Sequence, residues 1–349
     1  MKYFYLILIT LTSIFFASNA ALGQDPQFTQ YYSAPLHLNP AFAGTTPHHR
    51  ISLNHRNQWS SLPKAFVTYA VGYDLNLKNS NSNFGLLATT DRAGSANLQS
   101  SNLGAIYAYA IPMTNKMVVV PGLHVSYTWQ SLDYNKLVFG DQLSFGNPDA
   151  PSLDPSTYSF ENHSYFDFNT GVLLYNDRFW AGFALHHLNK PNHSFLGEES
   201  TLPMKTSVHA GMKIPVNMGA MKRGISSSIN PSFNYKHQGK FDQLDLGLNY
   251  QYQMLTLGVW YKGIPILQET EDHINHDALA VIFGVSINDF SFAYSYDLTI
   301  SKLAPATSGG SHEIALIFQF ETARSPKHVS RKEKFTPCPA FTPKFMFKP

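Results

Sequence analysis

Most of this chain is written in a two-residue rhythm. In Ser291-Phe-Ala-Tyr-Ser-Tyr-Asp-Leu-Thr-Ile300, Phe292, Tyr294, Tyr296, Leu298 and Ile300 alternate with Ser291, Ala293, Ser295, Asp297 and Thr299. Successive side chains of a strand point to opposite faces, so one face here is apolar and the other small and polar. Leu123, Val125, Tyr127 and Trp129 against His124, Ser126 and Thr128 repeat the scheme. So do Leu244, Leu246, Leu248, Tyr250 and Tyr252 against Asp245, Gly247, Asn249 and Gln251. The alternation predicts strands near 48–57, 65–77, 83–91, 97–111, 117–133, 163–175, 178–187, 202–213, 224–236, 241–252, 255–262, 278–287, 290–299 and 311–321. That is fourteen.

Alternation alone does not say which face is inside. In a soluble sandwich the apolar face turns inward; in a membrane barrel it turns to lipid, and the small and polar residues line a lumen. The connections favour the barrel. Tight turns at Asn176-Asp177, Gln253-Met254 and Asn288-Asp289, with short links at 78–82 and 112–116, all join an even strand to the next odd one. The longer links expected at 134–162, 188–201, 263–277 and 300–310 all join odd to even. The link at 214–223 and the short His237–Lys240 loop depart mildly from this sorting. Short turns on one rim and long loops on the other, with an even strand number, describe a bacterial outer-membrane barrel. The expected fold is therefore all-β, a 14-stranded antiparallel transmembrane β-barrel over 48–323, with both mature termini on the periplasmic, short-turn side.

Composition strengthens this picture. Charged residues make up 14% of the chain, against about 25% in an ordinary soluble domain, and aromatics also reach 14%. No segment after the first two dozen residues has the ~18 uninterrupted apolar residues of a spanning helix. Residues 1–23 read as a secretory signal peptide: Lys2, an apolar run from Tyr3 to Ala17, then the small-residue exits Ser18-Asn-Ala20 and Ala21-Leu-Gly23. Cys338 is the only cysteine, so no intramolecular disulfide is available. From residue 324 to 349 seven Lys and Arg, among them Arg331, Lys332 and Lys334, face Glu333 alone, which makes this region a basic periplasmic tail.

Two segments stand outside the rhythm. The leader at 24–47, Gln24-Asp-Pro-Gln-Phe-Thr-Gln-Tyr-Tyr-Ser-Ala-Pro-Leu-His-Leu-Asn-Pro-Ala-Phe-Ala-Gly44 at its heart, is neither helix nor strand in pattern. Pro26, Pro35 and Pro40 stop any continuous element. Phe28, Tyr31, Tyr32 and Phe42 nonetheless need a surface to pack on. A fourteen-stranded barrel encloses more room than its own side chains fill, so the leader is expected at the periplasmic mouth or in the lumen. The second segment is the loop 134–162, with Asp133, Asp141, Asp149, Asp154 and Glu161 in or beside it, a candidate extracellular contact surface.

Catalytic and metal chemistry find no foothold. His273-Ile-Asn-His276-Asp277 has ligand types but no helical i, i+4 spacing and no third cluster. His48-His49 and His186-His187 would face opposite sides of a strand. There is no G-x-S-x-G elbow. No cofactor and no enzyme activity are expected, and an exported chain gives nucleic acid little weight as the partner of the basic tail. Trp59, beside Gln58, Ser60 and Ser61, is either a girdle residue at the lipid interface or part of a binding surface.

The two halves of the leader, Asp25-Pro-Gln-Phe-Thr-Gln-Tyr31 and Asn39-Pro-Ala-Phe-Ala-Gly44, resemble in order and spacing the opening of the PorP/SprF family of type IX secretion system membrane proteins. Arg56-x-Gln58-Trp59 resembles the family's first strand and loop, and Cys338-Pro-Ala-Phe341 its ending. Thr29 replaces the usual Ser, and Thr342 to Pro349 extend the chain past that ending. The resemblance implies an outer-membrane barrel of Bacteroidota-type bacteria, in contact with outer-membrane lipid and with type IX secretion machinery on the periplasmic side. Its implied role is part of the core machine, or export or surface attachment of one large secreted adhesin with a bearing on gliding motility. Asp25, Gln27, Phe28, Gln30, Tyr31, Asn39, Pro40, Gly44, Trp59, Arg331, Lys332, Lys334 and Cys338 are then the residues expected to meet partners. The alternatives are a diffusion porin or hydrophobic-solute channel and, further off, a lipid-modifying enzyme.

Overall fold

The expected strands form, and they pair into a single antiparallel sheet that closes on itself. The structure, a computed structural model, describes residues 25–47, 49–62, 66–77, 80–114, 116–144, 152–154, 162–195, 199–216, 227–270, 273–301, 308–320 and 337–340. The signal-peptide segment and Arg331, Lys332 and Lys334 lie outside these residues. In chain order the strands are β1 (His49–Gln58), β2 (Phe66–Asn76), β3 (Ser82–Ala93), β4 (Leu98–Tyr109), β5 (Ile111–Pro112), β6 (Val118–Ser131), β7 (His163–Tyr175), β8 (Phe179–His186), β9 (Lys205–Met212), β10 (Ile214–Pro215), β11 (Ser227–Gln238), β12 (Phe241–Tyr252), β13 (Leu255–Thr270), β14 (His273–Ile287), β15 (Phe290–Thr299) and β16 (Ser311–Phe320). β5 and β10 are two-residue spurs on β6 and β11; the other fourteen build the wall. Closure is made by β1 on β16, with Ile51 opposite Phe318, and by β9 on β11, with Val208 opposite Tyr235.

The apolar faces turn outward. Leu123, Val125, Tyr127 and Trp129 are 58, 44, 41 and 43% exposed, while His124, Ser126 and Thr128 between them are 6, 2 and 4% exposed. A soluble sandwich would show the reverse. Charge is kept on the other face: Arg50, Arg56, Asp74, Asp167, Asp245, Lys262, Asp297 and Glu313 are all buried in the interior. No helix among the described residues is long and apolar enough to cross a membrane.

One expected loop is absent. Instead of a link at 263–277, β13 runs on to Thr270 and β14 begins at His273, with register shifts after Lys262, Ile264 and Gln268. Each irregularity breaks the two-residue period that signals a strand. Pro265, which falls between two of those shifts, is tolerated where a regular ladder would reject it. The sorting of loops by rim thus loses one of its long members, and barrel closure rests on the pairing itself.

The leader also departs from its unstructured reading. It makes three single turns, at Tyr31–Ser33, Pro35–Leu38 and Pro40–Phe42. Pro35 and Pro40 each open a turn, where a missing N–H costs nothing. The prolines forbid a long helix but pre-set the first turn of a short one.

Candidate functional site: a leader lodged in the lumen

Asp25, the first described residue, stands at the long-loop end of the lumen and not at the short-turn mouth. Its Oδ2 accepts from Lys205 Nζ at 2.7 Å and from His187 Nε2 at 2.8 Å. Its Oδ1 accepts from Gln238 Nε2 at 3.1 Å, and its backbone N–H donates back to Gln238 Oε1 at 3.1 Å. Lys205 opens β9, Gln238 closes β11 and His187 follows β8, all at the rim of the long loops. Of the two places expected for the leader, the short-turn mouth and the lumen, the structure shows the lumen: the leader runs its length, and Asp25 lies at the rim opposite the short turns. His187 also meets Asp167 Oδ2 through Nδ1 at 2.9 Å. Burial alone would lower its pKa, but Asp25 and Asp167 raise it to about 9, so the ring is a cation donating from both nitrogens. Burial would raise the pKa of Asp25, yet Lys205 and His187 outweigh it and hold the carboxyl well below its ordinary value.

A second set of charges takes hold four residues on. Glu313 on β16 accepts from two consecutive leader amides, Thr29 N to Oε2 at 2.7 Å and Gln30 N to Oε1 at 2.9 Å. Thr29 Oγ1 donates to Asp297 Oδ2 at 2.6 Å and accepts from Arg56 Nη1 at 2.6 Å and Lys262 Nζ at 2.7 Å. Arg56 bridges Asp297 at 2.8 Å and Glu313 at 3.2 Å, and Lys262 reaches Asp297 at 3.1 Å. Two cations and two anions balance around one threonine hydroxyl, which is how buried charge is tolerated. Gln27 accepts from Lys236, itself paired with Asp245 at 2.8 Å, and Gln30 Nε2 donates to Ser295 Oγ at 3.2 Å. Phe28, 2% exposed, meets the edge of His37 at 5.2 Å between ring centres. Burial lowers the pKa of His37 to about 3, so that ring is neutral.

From Tyr31 onward the grip changes from charge to shape. Tyr31 packs edge-on to Trp260 at 5.1 Å, and Tyr32 stacks on the same indole at 6.0 Å. Asn39, fully buried, caps the next turn by accepting from Ala41 N at 2.8 Å. Its amide donates to the carbonyls of Val172 at 3.3 Å and Phe183 at 3.2 Å, on two adjacent strands. The wall is notched to admit it: a Cβ on Gly171 would lie 2.0 Å from Asn39 Oδ1, and one on Gly122 would lie 2.5 Å from the backbone nitrogen of Ala41. Pro40 is buried at the start of this turn, and Phe42 lies 5.7 Å from both Trp180 and His209. Gly44, at φ +66°, donates its N–H to Asp74 Oδ2 at 2.8 Å, and Arg50 ties Asp74 to the Phe42 carbonyl.

Cys338 returns to this end of the lumen. Its backbone N–H donates to Thr45 O at 3.1 Å, and the thiol is fully buried among the apolar side chains around Phe42 and Tyr175. Burial pushes that thiol up to about 12, so it is neutral and unreactive at physiological pH. Beside it, toward the short-turn rim, a cavity of ≈ 140 Å³ lies between the leader and the wall from β9 to β16.

The expected site residues therefore fall into two groups. Asp25, Gln27, Phe28, Gln30, Tyr31, Asn39, Pro40, Gly44 and Cys338 come together, but they meet one another and the barrel's own interior. Trp59 stands apart on the β1–β2 link, at φ +60° and edge-on to Phe66. Among the described residues no group of three or more His, Cys, Asp or Glu could hold a metal, and His276 bonds Tyr261. Sequence reasoning missed Lys262, Asp297, Glu313 and Lys205, and it met Arg56 only as part of a motif and His187 only as a discounted metal ligand. A usable signal was present: in a chain with so little charge, ionised residues sit on the polar face of several strands.

A family model described as type IX secretion system membrane protein PorP/SprF matches residues 20–318, which spans the leader and thirteen of the wall strands in full. The chain belongs to the PorP/SprF family. No curated protein matches the sequence. Among solved structures, a TodX monoaromatic hydrocarbon channel mutant is 12% identical, covers 83% of this chain and 94% of its own, and has a TM-score of 0.39. CymD, also a monoaromatic hydrocarbon channel, is 12% identical over 84% of this chain and 94% of its own, at 0.38. CdiB from Acinetobacter baumannii is 8% identical over 78% and 60%, at 0.41. This PorP/SprF member is thus an outer-membrane β-barrel of a type IX secretion family, and these distant neighbours do not bear on what it carries or binds.

Proposed function

We propose that this PorP/SprF protein is a non-enzymatic barrel that escorts or anchors a type IX secretion substrate, and that it does so as a closed scaffold. The observation that carries this reading is the leader itself. The segment bearing the family's opening motif fills the lumen and is bonded to the wall from Asp25 at one end to Gly44 at the other. An open diffusion pore needs a continuous aqueous path, and a lumen crossed by Phe28, Tyr31, Leu36 and Phe42, each under 5% exposed, leaves little room for one.

With the lumen filled, partner contacts fall to the rims. If short turns face the periplasm, as is general for such barrels, the basic tail with Arg331, Lys332 and Lys334 faces the secretion machinery. The 134–162 loop and Trp59 then face outward toward the proposed adhesin. In that loop Asp141 accepts from Ser152 Oγ and from Leu153 N–H, which ties its two described parts together.

Two measurements test the reading. A chain lacking residues 25–44 is expected to conduct in a planar bilayer where the full chain conducts weakly; equal conductance would sink the plugged scaffold. Charge reversal of Arg331, Lys332 and Lys334 to Glu is expected to reduce surface display of the secreted adhesin while heat-modifiable barrel assembly stays normal. Undiminished display would remove the tail from the machinery contact.

A further inference from the structure

The short-turn half of the lumen has two unlike sides. Toward β4, β6 and β7 the wall presents Ile106, Ala108, Val120 and Leu173, which form one packed cluster with Phe42 and Cys338. Toward β11 to β15 it presents amides and hydroxyls: Asn230, Asn249, Gln251, Thr256, Ser286 and Ser291 all line the cavity of ≈ 140 Å³. The leader packs the first side and reaches the second with Tyr32 and Ser33. We propose that this cavity is a binding site for one neutral sugar residue.

Three observations point to that ligand. The first is unpaired polarity. The Tyr32 hydroxyl and Asn230 Oδ1 are buried, belong to residues lining the cavity and have no hydrogen-bond partner among the described residues. Buried polar atoms are nearly always paired, and a sugar hydroxyl, which both donates and accepts, answers either one. The second is layout. Asn230 on β11 lies directly opposite Asn249 on β12, and Gln251 on β12 directly opposite Thr256 on β13. Side chains so placed are about 5 Å apart, so a ring carrying hydroxyls at several corners meets more than one of them at once. Trp260 Nε1 donates to Asn249 Oδ1 at 3.1 Å, so what Asn249 can offer a ligand is its N–H donors. The third is size and charge. A cavity of about 150 Å³ holds one six-membered ring, so a single sugar residue enters and anything attached to it leaves by the short-turn rim. No carboxylate lines the cavity among the described residues, and Lys213 is its one charged residue, which disfavours an ionic ligand. An acyl chain or a bare aromatic ring would leave the amides and hydroxyls unpaired. Tyr32 and Trp180 supply aromatic surface for the C–H groups of the sugar.

The site does not depend on the escort role, and the experiment uses the full chain alone, in phosphatidylcholine vesicles. Saturation-transfer NMR with N-acetylglucosamine as the probe is expected to show transfer from the barrel's aromatic protons to the ring protons of the sugar. Asn230→Leu is expected to weaken binding roughly tenfold, as loss of one hydrogen-bond acceptor does. Ala293→Trp, which puts an indole into the cavity, is expected to abolish it. A short chain of the same sugar binding more tightly than the monomer assigns the site to the end of a glycan, and equal binding assigns it to a free sugar. No transfer in the native protein, or transfer undiminished in Ala293→Trp, overturns the proposal, as does toluene binding where the sugar does not. Heat-modifiable migration shows whether each variant has folded. If neither has, the same sugar carrying a diazirine decides on the native protein: label on β11 to β13 supports the site, and label elsewhere overturns it.

Discussion

From Asp25 to Gln30 the leader is held by charge, and from Asn39 to Gly44 it is held by shape. The first half has five cationic side chains, Arg56, His187, Lys205, Lys236 and Lys262, within hydrogen-bonding distance of it, and a carboxylate across two of its amides. The second half has glycines facing it where any side chain would collide, and aromatic rings around it. Charge acts over distance and responds to salt and pH; close packing does neither. The first half is therefore the end that conditions can loosen, and the second is the end that fixes register.

The largest effect is expected where the buried charges are broken. Arg56→Ala leaves Asp297 and Glu313 facing Lys262 alone, and loss of one partner from a buried ion network costs roughly 3–5 kcal/mol. The expected outcome is lost hydrogen-exchange protection at Thr29 and Gln30, with Ala41 to Ala43 still protected. If both halves open together, the leader is one cooperative unit and the division fails. The converse test is Gly122→Val, whose added carbons meet the backbone of Ala41 and not a movable side chain. Overpacking of this kind costs typically about 1–3 kcal/mol. Protection is expected to fall at Ala41 to Ala43 while Thr29 and Gln30 keep theirs.

The two regions also differ in how far the sequence reveals them. The wall was legible because β-alternation is local: Leu123 to Trp129 show from their spacing alone which residues share a face, and the sorting of the links by rim says that the apolar face is the outer one. The extension of β13 past Lys262 was not, because register shifts erase that period. Within the leader, Phe28, Tyr31 and Phe42 announce burial by type, but nothing local says that they run up the lumen past Glu313 and Asp297. Those contacts join residues more than 260 positions apart. Asn39 was visible as part of a motif; that Gly122, Gly171 and Gly182 form the notch for it and Ala41 becomes visible only once β6, β7 and β8 stand side by side.

The smallest expected effect is the pH response of the first anchor, because Glu313 still holds the leader when Asp25 lets go. His187 has its pKa raised from 6.5 to about 9, so its contribution is complete below 6.5 and is lost as pH rises through about 9. Asp25 has its pKa lowered from 3.8, so its contribution is present above 3.8 and is lost as pH falls through the depressed value. The anchor is at full strength between those two ordinary values and weakens toward alkali well before the rest of the plug is touched. Single-barrel recordings should therefore show brief openings growing more frequent from pH 6.5 to beyond 9. Asp25→Asn should make them frequent at every pH, because neither Lys205 nor His187 then has its leader carboxylate. A flat pH profile in the native protein, with Asp25→Asn indistinguishable from it, would mean that the plug is held by shape throughout.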